Sequence, residues 1–165
     1  MNNTPAYLRV LCLGNDILAD DCFGLKVADR LKQLDLSGTE VVEAATAGFD
    51  LLDYTLGAPF LVVVDSIQTN KGEPGTIYEF AEGDLLAPHG SSPHYIGLFE
   101  ALAVGRTLGL PVPSQLIILA VEAFDCLTIG GRMHPAVEGA VQPVVDRIQE
   151  LLHRSMFPTV HTAHA

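Results

Sequence analysis

The stretch Tyr7-Leu8-Arg9-Val10-Leu11-Cys12-Leu13-Gly14-Asn15-Asp16-Ile17-Leu18-Ala19-Asp20-Asp21-Cys22-Phe23-Gly24 decides the fold. Residues 7–13 form a short apolar run, broken only by Arg9, that stops at the turn-forming pair Gly14-Asn15; this is the pattern of a buried strand. Beyond the loop of residues 16–22, Phe23, Val27, Leu31 and Leu34 recur at intervals of four, four and three, which places them on one face of a helix. A buried strand feeding an amphipathic helix is the opening of a βαβ unit, the building block of parallel sheets covered by helices on both faces.

The rest of the chain continues that alternation. Residues 40–44 read as a second strand, 49–56 as a short helix and 60–64 (Phe-Leu-Val-Val-Val) as a third strand that stops at Asp65. An unbroken apolar run of this kind suits a strand buried on both sides. Residues 76–80 (Thr-Ile-Tyr-Glu-Phe) alternate after the turn signal Pro74-Gly75, as an antiparallel edge strand does. Ser92 then reads as an N-cap with Pro93 at the first helical position, and Tyr95, Phe99, Leu102 and Ala103 carry that helix to about Leu108. Residues 116–121 form another apolar strand, and Val137, Val141, Val144, Val145, Ile148, Leu151 and Leu152 mark one long final helix. The residues from about 154 to 165, with His161 and His164, read as a flexible tail. The expectation is a single α/β domain over residues 1–165: a three-layer αβα sandwich with right-handed crossovers around a mostly parallel sheet of about five strands, one of them an antiparallel edge strand.

Composition narrows the function. The chain has 165 residues, 48% of them hydrophobic, and a chain of this size buries roughly 70% of the surface its unfolded form exposes, so its core needs no staples. Cys12, Cys22 and Cys126 are odd in number and widely spaced, which argues against a disulfide framework and for a reducing compartment, the cytoplasm. Nine Lys and Arg against twenty Asp and Glu leave a net charge of −11; so acidic a surface repels phosphate backbones and anionic lipid, and neither nucleic acid nor membrane is expected as a partner. The start Met1-Asn2-Asn3-Thr4-Pro5 lacks the basic segment and apolar stretch of a secretory signal. No apolar run approaches the roughly 18 residues of a spanning helix.

Open α/β sheets bind ligands outside the carboxyl ends of their strands. Three features fall there: Asp20 and Asp21 in the loop after the first strand, Asp65 at the end of the third, and His94 at the start of a crossover helix. The two adjacent acids have an ordinary alternative as caps of the following helix. Asp65 is harder to explain structurally, because an apolar strand delivers it to the sheet edge, where burying an ionised carboxylate costs several kcal/mol unless it is paired or metal-bound. The positive end of a helix favours neutral imidazole, the form in which histidine ligates metals. Two carboxylates and one imidazole leave coordination positions open for water or substrate, a catalytic rather than structural pattern. His89, His134, His153, His161 and His164 have no comparable setting.

Rival templates lack parts. The first turn, Gly14-Asn15-Asp16-Ile17-Leu18, has no second close glycine, as a dinucleotide-binding loop would require, and no Lys-Ser/Thr pair for a phosphate loop. A receiver-like phosphoacceptor module, or another non-enzymatic metal-binding regulatory module, shares the acid placement. The receiver would need a lysine after the last strand, where Glu122-Ala123-Phe124-Asp125 stands instead.

These residues resemble the hydrogenase maturation endopeptidases. Residues 14–24 resemble that family's G-N-x-L-x-x-D-[DE]-G-x-G signature, with Cys22 where the signature has glycine. Thr46-Ala47-Gly48 with Leu51-Leu52 resembles the T-x-G-x-x-L-L loop, Asp65 with Gly72-Glu73-Pro74-Gly75-Thr76 the D-[AS]…G-x-P-G-T segment, and Ser92-Pro93-His94-Tyr95-Ile96-Gly97-Leu98 the S-x-H-x-x-G-L segment. The resemblance implies an endopeptidase that removes the C-terminal extension of the nickel-iron hydrogenase large-subunit precursor after nickel insertion. It implies that Asp21, Asp65 and His94 are the residues that meet nickel, supplied by the substrate, and that Zn²⁺ or Cd²⁺ can stand in for it in vitro. Asp20 remains either a general base or a cap that orients the loop, and a monomer is expected.

Overall fold

Strand β1 (Leu8–Leu13) lies beside β2 (Thr39–Ala44) on one side and β3 (Phe60–Ile67) on the other, parallel to both, with Leu8 opposite Thr39 and Phe60. In this computed structural model, which describes residues 8–82, 84 and 93–156 and, for 93–96, the backbone alone, the sheet order is β2-β1-β3-β5-β4. Strand β5 (Gln115–Glu122) pairs parallel with β3, and β4 (Ile77–Ala81) pairs antiparallel with β5 at the edge. The expected mostly parallel five-stranded αβα sandwich is therefore the observed one.

Pleating sends alternate side chains to opposite layers. Leu8, Val10 and Cys12 of β1 and Phe60, Val62 and Val64 of β3 pack beneath α1 (Phe23–Leu34) and α5 (Val141–Met156), meeting Phe23, Val27, Leu31, Val144, Val145 and Ile148. Leu11, Leu13, Leu61, Val63 and Ile67 face the other layer, made by α3 (Pro93–Thr107) and the short helices around Leu51. Because both layers are apolar, β3 is buried at every position.

Several details differ from the sequence reading. Leu34, in the last turn of α1, is 40% exposed, because the helix ends there with Asp35 in a left-handed conformation. The segment 49–56 is a 3-10 turn (Gly48–Leu51) followed by one helical turn, α2 (Leu52–Thr55). The buried stripe of α3 is Leu98, Ala101, Leu102 and Gly105, while Ala103 is exposed, being about 100° round the helix from Leu102. The single final helix is in fact two, α4 (Pro135–Gly139) and α5. Pro143 has no N–H to donate to the Gly139 carbonyl four residues earlier, so the ladder breaks there. Helix α5 runs through residues 154–156, where the Ser155 hydroxyl donates to the Leu152 carbonyl; the expected tail beyond it, and the expected Ser92 cap, lie outside the described residues.

Candidate functional site at the carboxyl edge of the sheet

The loop after β1 is held by close backbone approach. A Cβ on Gly14 would stand 2.3 Å from the Asp21 carbonyl oxygen, and one on Gly24 would stand 2.1 Å from that of Leu13; both positions therefore exclude side chains for lack of room. The Asn15 N–H donates to the same Asp21 carbonyl at 3.1 Å, and the Asn15 side chain accepts from the Ile17 N–H at 3.1 Å. The loop closes on itself and ends in a 3-10 turn, Asp20–Cys22, that sends its two adjacent acids in different directions.

Asp20 turns inward and is 1% exposed. Its carboxylate accepts three backbone N–H bonds from the loop after β5: Phe124 at 2.8 Å, Asp125 at 2.9 Å and His134 at 2.6 Å. The Asp20 N–H donates back to the Asp125 carbonyl at 2.8 Å, and Ala19 and Gly130 add further backbone bonds between the two loops. Asp20 is thus the tie between the first and last loops of the site and not a cap of the following helix, whose N-cap makes no side-chain hydrogen bond.

Asp21 is half-buried and accepts the Ser66 hydroxyl at 3.1 Å. Asp65 lies within β3 rather than after it, on the sheet face that α3 covers, and accepts the Ser66 N–H at 2.8 Å. Asp21, Asp65 and Ser66 line one cleft of about 220 Å³ with Gly14, Asn15 and Thr46. The loop carrying Thr46 reaches α3 at Gly48, where a Cβ on Gly97 would stand 2.6 Å from the Gly48 Cα. That contact brings the first turn of α3, which contains His94, to the same edge of the sheet; the His94 side chain lies outside the described residues. Among the described residues, no group of three His, Cys, Asp or Glu side chains is arranged to hold a metal ion.

Three residues of this region escaped the sequence reading. Ser66 touches both carboxylates, and Cys126 brings its Sγ to 3.7 Å from the Ser66 Oγ. Burial, with Asp21, Asp20 and Asp65 nearby, pushes the Cys126 thiol up to about 11, so it is protonated at neutral pH. Glu122, 1% exposed at the end of β5, accepts Thr69 and Asn70 N–H groups at 2.8 and 2.9 Å, the Thr69 hydroxyl at 2.6 Å and the Tyr78 hydroxyl at 3.1 Å, which fixes the loop leading to the edge strand. His134 acts locally, its Nδ1 accepting the Ala136 N–H at 3.2 Å and so capping α4. Cys22 donates to the Ala19 carbonyl at 3.0 Å and lines a different cleft, with Lys26, Asp29 and Arg132; burial raises its thiol.

A doubly wound sandwich with an acid pair converging at the carboxyl ends of β1 and β3 defines an acid-centred α/β protein, built without a glycine-rich phosphate cradle. The family model described as hydrogenase maturation protease matches residues 25–151. The chain is 27% identical over 152 residues to the hydrogenase 2 maturation protease of Escherichia coli, covering 90% of this chain and 92% of that protein. Its fold matches the E. coli hydrogenase maturating endopeptidase HybD with a TM-score of 0.75 at 27% identity, covering 90% and 93% of the two chains. It also matches the [NiFe] hydrogenase maturation protease HybD of Thermococcus kodakarensis with a TM-score of 0.70 at 25% identity, covering 88% and 98%. The chain belongs to the hydrogenase maturation protease family, and its activity class is accordingly that of a peptidase. No helix among the described residues is long and apolar enough to cross a membrane.

Proposed function

We propose that this peptidase removes the C-terminal extension of a nickel-iron hydrogenase large-subunit precursor after nickel has been inserted, using the nickel held by that substrate as its recognition element. The observation that carries the reading is the meeting of Asp21 and Asp65, delivered by different loops and strands, in one cleft beside the start of α3. Two carboxylates and the His94 imidazole form an incomplete ligand set, suited to an ion whose remaining ligands belong to the substrate. Such an ion supplies positive charge beside the scissile carbonyl. Asp21 and Asp65 orient it, and one of them takes the proton from the attacking water. Asp20 is not that base, because its oxygens already carry three backbone N–H bonds. Binding that depends on the inserted ion makes maturation wait for insertion. Zn²⁺ or Cd²⁺ is expected to occupy the same three ligands in vitro. The cytoplasm is the inferred compartment, in keeping with free Cys12, Cys22 and Cys126, and a monomer is the inferred working unit.

The test is cleavage, read as the mass of the large subunit, with three substrates: nickel-loaded precursor, nickel-free precursor, and nickel-free precursor with free Zn²⁺. Processing confined to the nickel-loaded substrate and abolished by Asp65→Ala is the expected result. Equal cleavage of the nickel-free substrate would sink the proposal, and rescue by free Zn²⁺ alone would identify an ordinary metalloprotease.

A further inference from the structure

Ser66 is 8% exposed and has two hydrogen-bond donors, and each goes to a different carboxylate: its N–H to Asp65 at 2.8 Å, its hydroxyl to Asp21 at 3.1 Å. An ionised carboxylate only accepts, so the Ser66 hydroxyl hydrogen is committed to Asp21. The oxygen lone pairs then face Cys126, whose Sγ lies 3.7 Å away and whose thiol keeps its proton. The order of donation is therefore fixed, from Cys126 to Ser66 to Asp21. Two carboxylates at one partly buried edge repel each other, and neither β1 nor β3 by itself sets the gap between them.

We propose that Ser66 is a positioning residue of the peptidase, holding Asp21 and Asp65 at a set separation and orientation, with Cys126 fixing the direction of its hydroxyl. The proposal rests on the reading of Asp21 and Asp65 as the pair that meets the substrate. Shared coordination and proton transfer both tolerate only small errors in geometry, so a donor common to the two acids acts on the reaction without touching substrate. Loss of the side chain removes the hydroxyl bond to Asp21 and leaves the backbone N–H bond to Asp65, so it lowers the rate rather than abolishing it.

The test uses the full chain, with His161 and His164 replaced by Ala in all variants so that these two residues bind no metal. Steady-state cleavage of nickel-loaded precursor gives kcat and KM, and calorimetry with Ni²⁺ alone gives a readout independent of turnover. Ser66→Ala is expected to lower kcat/KM about tenfold and to weaken Ni²⁺ binding by about the same factor, as loss of one charge-assisted hydrogen bond should. Ser66→Thr, which restores the hydroxyl, is expected to recover most of both. Parent values in Ser66→Ala, or a loss that Ser66→Thr does not recover, overturns the proposal. If Ser66→Ala fails to fold, Ser66→Val decides, since it matches Ser66→Thr in shape but lacks the hydroxyl: a kcat/KM below that of Ser66→Thr supports the role, and an equal one overturns it. Asp21→Asn separates the two readings. If Asp21→Asn cleaves normally, the assignment of the site itself is wrong; if it is inactive while Ser66→Ala is normal, only the positioning role falls.

Discussion

Replacing Asp20 tests whether the buried acid is a tie or a base. Its carboxylate accepts three backbone N–H bonds at 2.6 to 2.9 Å, and hydrogen bonds to an ionised acceptor contribute about 1.5–3 kcal/mol each, or roughly 4.5–9 kcal/mol together. The Phe124 side chain is 63% exposed and the three bonds are only part-buried, so water takes over part of what is lost; about 3–5 kcal/mol is the expected cost of Asp20→Ala. Asp20→Asn keeps one oxygen but turns an NH₂ toward a backbone N–H, which lowers the expected cost to about 2 kcal/mol. Against a domain stability of about 5–15 kcal/mol, the alanine variant is marginal and the asparagine variant folds. Guanidinium unfolding with an unchanged m-value gives the stability, and precursor cleavage gives the rate. Asp20→Asn should retain measurable cleavage with a lowered unfolding midpoint. A variant with the parent's midpoint and no cleavage would show that Asp20 moves a proton, and the assignment made from its hydrogen bonds would be refuted.

Gly14→Val should cut cleavage by more than about tenfold and destabilise by roughly 2–3 kcal/mol, because the new Cβ would stand 2.3 Å from the Asp21 carbonyl and must push the acid loop away; unfolding and cleavage assays check it, and full activity would refute it. For Cys126, raised from 9.0 to about 11, the unfolded thiol ionises first, so its contribution to stability is complete below pH 9.0 and is lost as pH rises toward about 11. Iodoacetamide labelling of Cys126 in the folded protein should correspondingly keep accelerating above the pH at which an ordinary thiol levels off. At the far edge of the sheet, Arg147 pairs with Glu79 through two bonds of 2.8 and 2.7 Å and holds the Glu79 carboxyl below its ordinary 4.5. The pair is part-exposed, so Arg147→Ala should cost no more than about 1 kcal/mol, and the Glu79 contribution should be present above pH 4.5 and lost as pH falls below it; chemical unfolding at several pH values measures both.

Local signals made much of this architecture legible. Residues 7–13 and 60–64 announce buried strands because parallel strands covered on both faces have no polar side to interrupt them. The break between α4 and α5 was not read, although Gly139 and Pro143 stand four residues apart there, because the apolar spacing on either side continues across it. The site was legible only in part. Asp65 and Glu122 send the same signal, an acid at the end of an apolar strand; the structure puts the first in the cleft and spends the second on four bonds to the loop and edge strand beside it. Likewise Asp20 and Asp21 are indistinguishable as letters, and a single 3-10 turn separates their roles. Ser66 and Cys126 carry no local signal, because their relation to Asp21 arises from contacts 45 and 60 residues apart in the chain.

The anchoring of the last loop by Asp20 separates what that loop displays from what holds it. Leu127 and Ile129 are 81% and 76% exposed, yet the backbone beneath them is pinned at Phe124, Asp125 and His134 and again at Thr128 and Gly130. Their side chains contribute little to stability, so exchanging them changes the chemistry of that loop's surface while leaving the acids in register. A library varied at these two positions alone would sample new surfaces above an unaltered pair of acids, and a change in which precursors are processed could then be credited to recognition rather than to a disturbed fold.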